Sequence, residues 1–299
     1  MTDIQAPHNE RAAVTYALAA VMMWSTVATA FKIALEYLPP AQLLLWASFF
    51  SLLVLAVVVT VQKKWSLLHQ LSARQWSASL FYGALNPGLY YLLLFEAYDL
   101  LPAQEAQALN YTWALTLAFL SVPFLGQKLR RQDIWAGLIC YGGVLVIATR
   151  GEVLSLQFGN LLGVTLALLS TLVWASYWIL NTRDQREPVV GLMLNFAFAI
   201  PLLIAVNLWQ GGLHVPQWQG LLSSVYIGVF EMGLAFVCWL QGMRLTKHTA
   251  RISNLIFLSP FVSLVLIYTI LDEPIFMSTL FGLAMILGGI LLQQKKSSV

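Results

Sequence analysis

The chain has 299 residues, 59% of them hydrophobic and only 10% charged, with a mean hydropathy of +0.75 and a formal net charge of +3. A soluble domain of that composition would lack the polar surface needed to face water. The totals exclude an ordinary soluble protein and point to an all-α chain that crosses a membrane many times.

Ten apolar runs are each about as long as a helix needs to span hydrocarbon, roughly 20 residues at about 1.5 Å rise per residue. They cover 12–35, 40–61, 75–98, 102–124, 133–149, 159–181, 189–208, 217–243, 249–271 and 275–293. The opening stretch MTDIQAPHNE lacks the basic segment and small-residue cleavage site of a secretory signal, so the first run is expected to be retained. That run carries Trp24 near its middle, followed by the hydroxyls of Ser25, Thr26 and Thr29.

The third run, LFYGALNPGLYYLLLF, is interrupted by Asn86-Pro87-Gly88. Pro87 removes a backbone donor and clashes with the Gly83 carbonyl, and Gly88 weakens the helix further. Tyr82, Asn86 and Tyr90 are four apart, which on a regular helix gives one polar stripe flanked by Tyr91. Broken backbone at this depth is tolerated where protein or a wet cavity satisfies it, so this run is expected to wall a cavity.

The fourth run brings Asn110, Tyr111 and Trp113, the sixth Trp174, Tyr177 and Trp178, and the ninth Asn254 and Phe257. Glu231 lies mid-run in the eighth, where a carboxylate costs roughly 2.5 to 3.5 kcal/mol to insert and so should face protein or water. Glu96, Asp99 and Glu105 fall near run ends and are expected to be solvated, and Trp46, Trp65, Trp76, Trp135, Trp209 and Trp218 read as interfacial anchors. Cys140 and Cys238 sit within apolar runs as small core residues, with no disulfide, metal or cofactor implied.

Lysine and arginine are distributed unevenly. With the N-terminus inside, the inner segments hold 14 of them, including Lys128, Arg130, Arg251, Lys295 and Lys296, and the outer segments only Lys32 and Arg150. This fits the positive-inside rule with both termini cytoplasmic, and it accounts for the basic balance without nucleic acid as a partner.

The chain also repeats itself. ALAAVMMWS at 17–25 lies over ALLSTLVWA at 167–175, and FYGALNPGLYYLLLF at 81–95 over YIGVFEMGLAFVCWL at 226–240. The second match pairs Gly83 with Gly228, Gly88 with Gly233 and Asn86 with Glu231, and GLICYGGVLV at 137–146 resembles GLAMILGGILL at 282–292. Residues 1–150 and 151–299 thus read as two five-helix units, and because five is odd the second must enter the membrane from the opposite side. The expected fold is ten transmembrane helices as two inverted five-helix repeats. Such repeats mark secondary transporters, whose sites lie near the midplane beside interrupted helices.

On these features the chain resembles the drug/metabolite transporter superfamily, EamA type. The NPGLYY stretch with FEAY at 95–98 is similar to the YddG-type exporters of aromatic and other neutral amino acids. The chain departs from the family pattern at Trp46, where an arginine is common, and at Gln127 and Lys128, where an acid is common after the fourth helix; Asp272 and Glu273 hold that place in the second half. The resemblance implies a bacterial inner-membrane protein that exports neutral amino acids by alternating access.

The site expected from these residues comprises Trp24, Tyr82, Asn86, Tyr90, Asn110, Trp113, Trp174, Tyr177, Trp178, Glu231 and Asn254, with the helix break at Gly83, Pro87 and Gly88. Glu231 or the Gly83 carbonyl would accept from a substrate ammonium; Asn86, Asn254 or tyrosine hydroxyls would donate to its carboxylate, and the aromatic rings would cover its side chain. Glu231 is also the candidate to carry a coupling proton. The alternatives are a drug, metabolite or nucleoside exporter of the same fold. A phosphorylated substrate is disfavoured because no Lys or Arg lies deep in a run. An intramembrane enzyme is disfavoured because His8, His69, His214 and His248 all lie near loops.

Overall fold

In the computed structural model, residues 9–126, 131–154, 159–248 and 252–294 are described. Gln127, Lys128, Arg130, Arg251, Lys295 and Lys296, used above for topology and family comparison, lie outside the described residues. The described residues form helical rods close to the expected runs. We label them α1 (Glu10–Leu35), α2 (Pro40–Val61), α3 (73–100), α4 (Ala103–Leu125), α5 (Arg131–Ala148), α6 (Leu161–Asn181), α7 (Pro188–Trp209), α8 (Trp218–Leu245), α9 (Asn254–Ile270) and α10 (Met277–Gln294).

Six of them, α1, α2, α4, α6, α7 and α8, are long and apolar enough to cross a membrane, and α9 and α10 are shorter apolar helices. The expected count of ten is therefore not reached on length and composition alone. The molecule is an all-α, multi-pass membrane protein.

Local chemistry sets the rod ends. Asn9 accepts from Ala12 N at 3.0 Å, Asn160 from Gly163 N at 2.9 Å and Glu187 from Val190 N at 2.9 Å, each satisfying one of the orphan donors of a first turn. Ser72 and Gln75 form a reciprocal capping box at the start of α3. Pro40 and Pro188 occupy the first positions of α2 and α7, where a missing N–H costs nothing, and Gly126 ends α4 in the left-handed region at φ 68°.

Water is absent between rods in a bilayer, so association depends on close packing and small residues. A Cβ on Gly143 would meet the Gly282 carbonyl at 2.5 Å, and one on Gly289 the Ala136 carbonyl at 2.7 Å, which is how α5 and α10 come together. Gly142, by contrast, would touch only the Met285 side chain, and Gly288 nothing within 4 Å, so the pairing rests on Gly143, Gly282 and Gly289. The other main contacts are α1 with α8, α3 with α6, α2 with α7, α2 with α8 and α3 with α7.

Five rods are broken. α1 breaks at Thr26 and α4 at Tyr111–Thr112, and α9 begins as a 3-10 turn over Asn254–Leu258. α3 and α8 widen into π-type turns over Ala84–Leu89 and Ile227–Leu234. Within the first of these Asn86 is extended (φ −141°, ψ 117°), and the Asn86–Pro87 peptide is cis.

The two wide turns share their glycine chemistry. A Cβ on Gly88 would sit 3.0 Å from the Gly83 carbonyl, and one on Gly233 3.0 Å from the Gly228 carbonyl. A Cβ on Gly83 would collide with the Asn195 carbonyl of α7, and one on Gly228 with the Ala47 carbonyl of α2. Each wide turn is thus pressed backbone to backbone against a neighbouring rod.

Candidate functional site

The breaks converge on one cavity of about 120 Å³. Trp24 and Val27 flank the break in α1, Tyr90 and Tyr91 follow the wide turn in α3, and Asn110 and Trp113 bracket the break in α4. Glu231 lies inside the wide turn of α8, Ser259 follows the 3-10 turn of α9, and Trp174 of the unbroken α6 completes the wall. A second chamber of about 230 Å³ shares Trp24, Trp113, Trp174 and Phe236 with the first and adds Trp178 and Trp239.

Glu231 is the acid of the first cavity and is 7% exposed. Its Oε1 accepts from the Tyr91 hydroxyl at 2.8 Å, while Oε2 is buried without a partner. The residue before Tyr91, Tyr90, stacks on Trp174 with centroids 4.4 Å apart and 27° between planes. Trp24 packs edge-on against Phe236 at 5.5 Å. An unpaired carboxylate oxygen and flat apolar rings therefore share one space, a combination suited to an organic cation or zwitterion with a bulky apolar part.

Of the residues expected to form the site, Trp24, Tyr90, Asn110, Trp113, Trp174 and Glu231 surround the first cavity, and Trp178 lines the second. Four others are elsewhere. Tyr82 donates to the Leu180 carbonyl at 3.2 Å and lies under the Arg186 guanidinium, toward the end of α6. Asn86 turns toward α6 and α7 beside Tyr177, its Oδ1 buried and unpartnered. Tyr177 stands behind Trp174 and accepts from Asn195 Nδ2 at 3.3 Å. Asn254 is exposed, because the 3-10 turn rotates it off the face a regular helix would give it. The Tyr82, Asn86, Tyr90 stripe fails for the same kind of reason: the extended Asn86 and wide turn break the register between Tyr82 and Tyr90.

Sequence reasoning missed two networks. The Arg186 side chain is fully buried: it forks onto Asp184 (2.6 to 3.0 Å), donates to Ser79 Oγ at 2.6 Å and reaches Asn195 Oδ1 at 3.2 Å. Counted as a topology marker, it is a structural tie among α3, α7 and the segment before it; the Asp-x-Arg spacing was the available signal. The second network closes the bundle where α3 ends and α4 begins. Glu273 accepts from Ala103 N at 3.0 Å and Gln104 Nε2 at 2.9 Å, and Gln104 also bonds Pro274 O at 2.7 Å and Phe276 N at 2.8 Å. Glu105, expected to be solvated, is 2% exposed and pairs with Arg150 at 3.1 Å, while Lys32 donates to the Tyr98 and Leu101 carbonyls at 2.8 and 3.1 Å.

Among the described residues no group of three or more His, Cys, Asp or Glu could hold a metal ion.

The EamA-like transporter family model matches residues 11–149 and again 161–293. The chain is 27% identical to the uncharacterized transporter YvbV of Bacillus subtilis, over 93% of this chain and 90% of that one. It is 26% identical to the aromatic amino acid exporter YddG of Ancylobacter novellus, over 52% of this chain and 54% of that one. A solved crystal structure superposes with a TM-score of 0.66 at 20% identity, covering 94% of this chain and 96% of the other, which is a likeness of fold.

Proposed function

The chain belongs to the EamA-like transporter family, and from that premise we propose that it exports neutral amino acids with sizeable side chains, the aromatic ones foremost, by alternating access of two inverted five-helix units. The observation that carries the substrate reading is the free Oε2 of Glu231 in the same cavity as the Tyr90–Trp174 stack. An ammonium would sit at that oxygen and an apolar side chain against the rings, while the cavity presents no lysine or arginine that a phosphate would require. The partial likeness to an aromatic amino acid exporter supports the same reading.

The reading of residues 1–150 and 151–299 as two repeated units is supported by the contacts. Exchanging each rod with the one five places on turns α1–α8 into α6–α3 and α2–α8 into α7–α3, and leaves α2–α7 and α5–α10 unchanged; all of these contacts are present. The matched collisions at Gly83 and Gly228 obey the same exchange. In this reading all ten rods span the membrane, with both termini cytoplasmic. The second chamber then lies on the cytoplasmic side, and the Glu273 network closes the outer side.

The test is counterflow in proteoliposomes. Unlabelled phenylalanine, tryptophan, methionine or threonine on one side should accelerate entry of labelled phenylalanine, and a nucleoside or cationic dye should not. Acceleration by the nucleoside or dye in place of the amino acids would refute the assignment.

A further inference from the structure

The cavity binds the positive end of its substrate at Glu231; what it offers the other end can be read from the groups left uncommitted. Serines in membrane rods ordinarily spend their proton on a carbonyl one turn back, as Ser25 does to Val21 O at 2.7 Å, Ser79 to Gln75 O at 3.0 Å and Ser224 to Gly220 O at 2.8 Å. Ser259 does not. It is 1% exposed, and its hydroxyl lies beside that of Tyr111, with no backbone carbonyl taking its proton.

Two further donors face the same space from α4. Gln107 and Tyr111 are four apart, so they share one face where α4 packs on α9, and both line the cavity. Asn110 differs, because its Nδ2 is committed to Ser170 Oγ at 3.3 Å. The cavity is thus two-ended. One end is the Tyr91–Glu231 pair on α3 and α8, an acid with a vacant oxygen; the other is a set of neutral donors, Ser259, Tyr111 and Gln107, on α9 and α4.

We infer that Ser259, Tyr111 and Gln107 form a carboxylate subsite, so that this transporter selects free α-amino acids over amines of the same shape that lack the acid. The inference rests on the amino-acid reading above and adds to it the group that tells a zwitterion from a plain cation. Neutral hydroxyl and amide donors suit this task, since they bind a carboxylate without repelling the ammonium held at Glu231.

The test compares phenylalanine with phenethylamine, which has the same ring and ammonium and no carboxylate, as competitors of labelled phenylalanine in counterflow. Ser259→Ala should raise the half-saturating phenylalanine concentration about tenfold, the loss of one hydrogen bond to a charged group, while moving phenethylamine by less than about twofold. Gln107→Glu should set a like charge against the substrate carboxylate and invert the order, phenethylamine then outcompeting phenylalanine. The inference is overturned if wild type transports phenylalanine and both variants leave the acid-to-amine ratio unaltered. If wild type moves no amino acid, the amino-acid reading fails and the subsite falls with it.

Discussion

Replacing Glu231 with Gln exchanges one oxygen for an NH2 group at nearly constant volume. Tyr91 can still donate to the remaining carbonyl oxygen, as it does to Oε1 at 2.8 Å, so the side chain keeps its position. The change falls on Oε2, which has no protein partner and is where a substrate ammonium would bind. Acceptor becomes donor, and a charge-assisted bond in a buried site is lost. Removing one partner of a buried, hydrogen-bonded charge pair costs about 2 to 5 kcal/mol, and the retained shape places this variant at the low end, about 2 to 3 kcal/mol. At about 1.4 kcal/mol per decade, phenylalanine affinity should fall about 30- to 140-fold. Equilibrium binding of labelled phenylalanine to the detergent-purified protein measures it, with N-acetylphenylalanine, which has no ammonium, as a competitor that should lose almost nothing. Thermal stability should hold, because the side chain keeps its volume and its bond from Tyr91. A folded variant with phenylalanine affinity within about threefold of wild type would refute the placement of the ammonium at Glu231.

The same variant addresses coupling: a pH difference across the vesicle wall should accelerate phenylalanine flux through wild type and not through Glu231→Gln, whereas wild-type flux indifferent to the gradient would mean facilitated diffusion. Gly228→Ala should lower stability by about 1 to 3 kcal/mol in thermal unfolding, because the new methyl meets α2 backbone; Gly83→Ala should behave alike, and Gly288→Ala, with nothing within 4 Å, should be silent. Arg186→Met should cost about 3 to 5 kcal/mol in the same assay by stranding Asp184, Ser79 and Asn195; a loss below about 1 kcal/mol would mean those groups re-pair without it. Glu273→Gln should loosen the cap on α4 and expose the cavity from the outer side, seen as faster labelling of a Leu94→Cys probe by an impermeant thiol reagent in a background without Cys140 and Cys238; unchanged labelling would mean the cap does not hold that mouth closed.

Composition and periodicity sufficed to locate the rods, because twenty-residue apolar runs leave few alternatives. Pro40–Val61 matches its expected span end to end, helped by the proline at its first position. A residue's type narrowed its surroundings in the interior: Glu231, mid-run in the eighth span, was expected to face protein or water, and it lines the first cavity. What the sequence did not disclose was rotation about the rod axis. Asn86 was assigned by counting in turns of 3.6 and Asn254 by its place near a helix end, and both lie where the backbone leaves regular α-helix, one in a widened turn and one in a tightened turn. Pro87 signalled a break in α3 without saying which way Asn86 would point. Glu105 was missed for another reason, its partner Arg150 being 45 residues away; for Arg186 the local Asp184 could be read, but Ser79, 107 residues away, could not.

At Gly83 the joint with α7 is backbone on backbone, and at Gly228 the joint with α2 adds only the Phe50 Cβ. A joint of bare backbone resists sliding, since carbonyls and amides interlock, but it offers little resistance to swivelling, since nothing long must change rotamer. The molecule thus has two such joints only a few residues from its first cavity yet built from different positions. Ring sizes in the cavity can therefore be exchanged without touching the residues that form the joints.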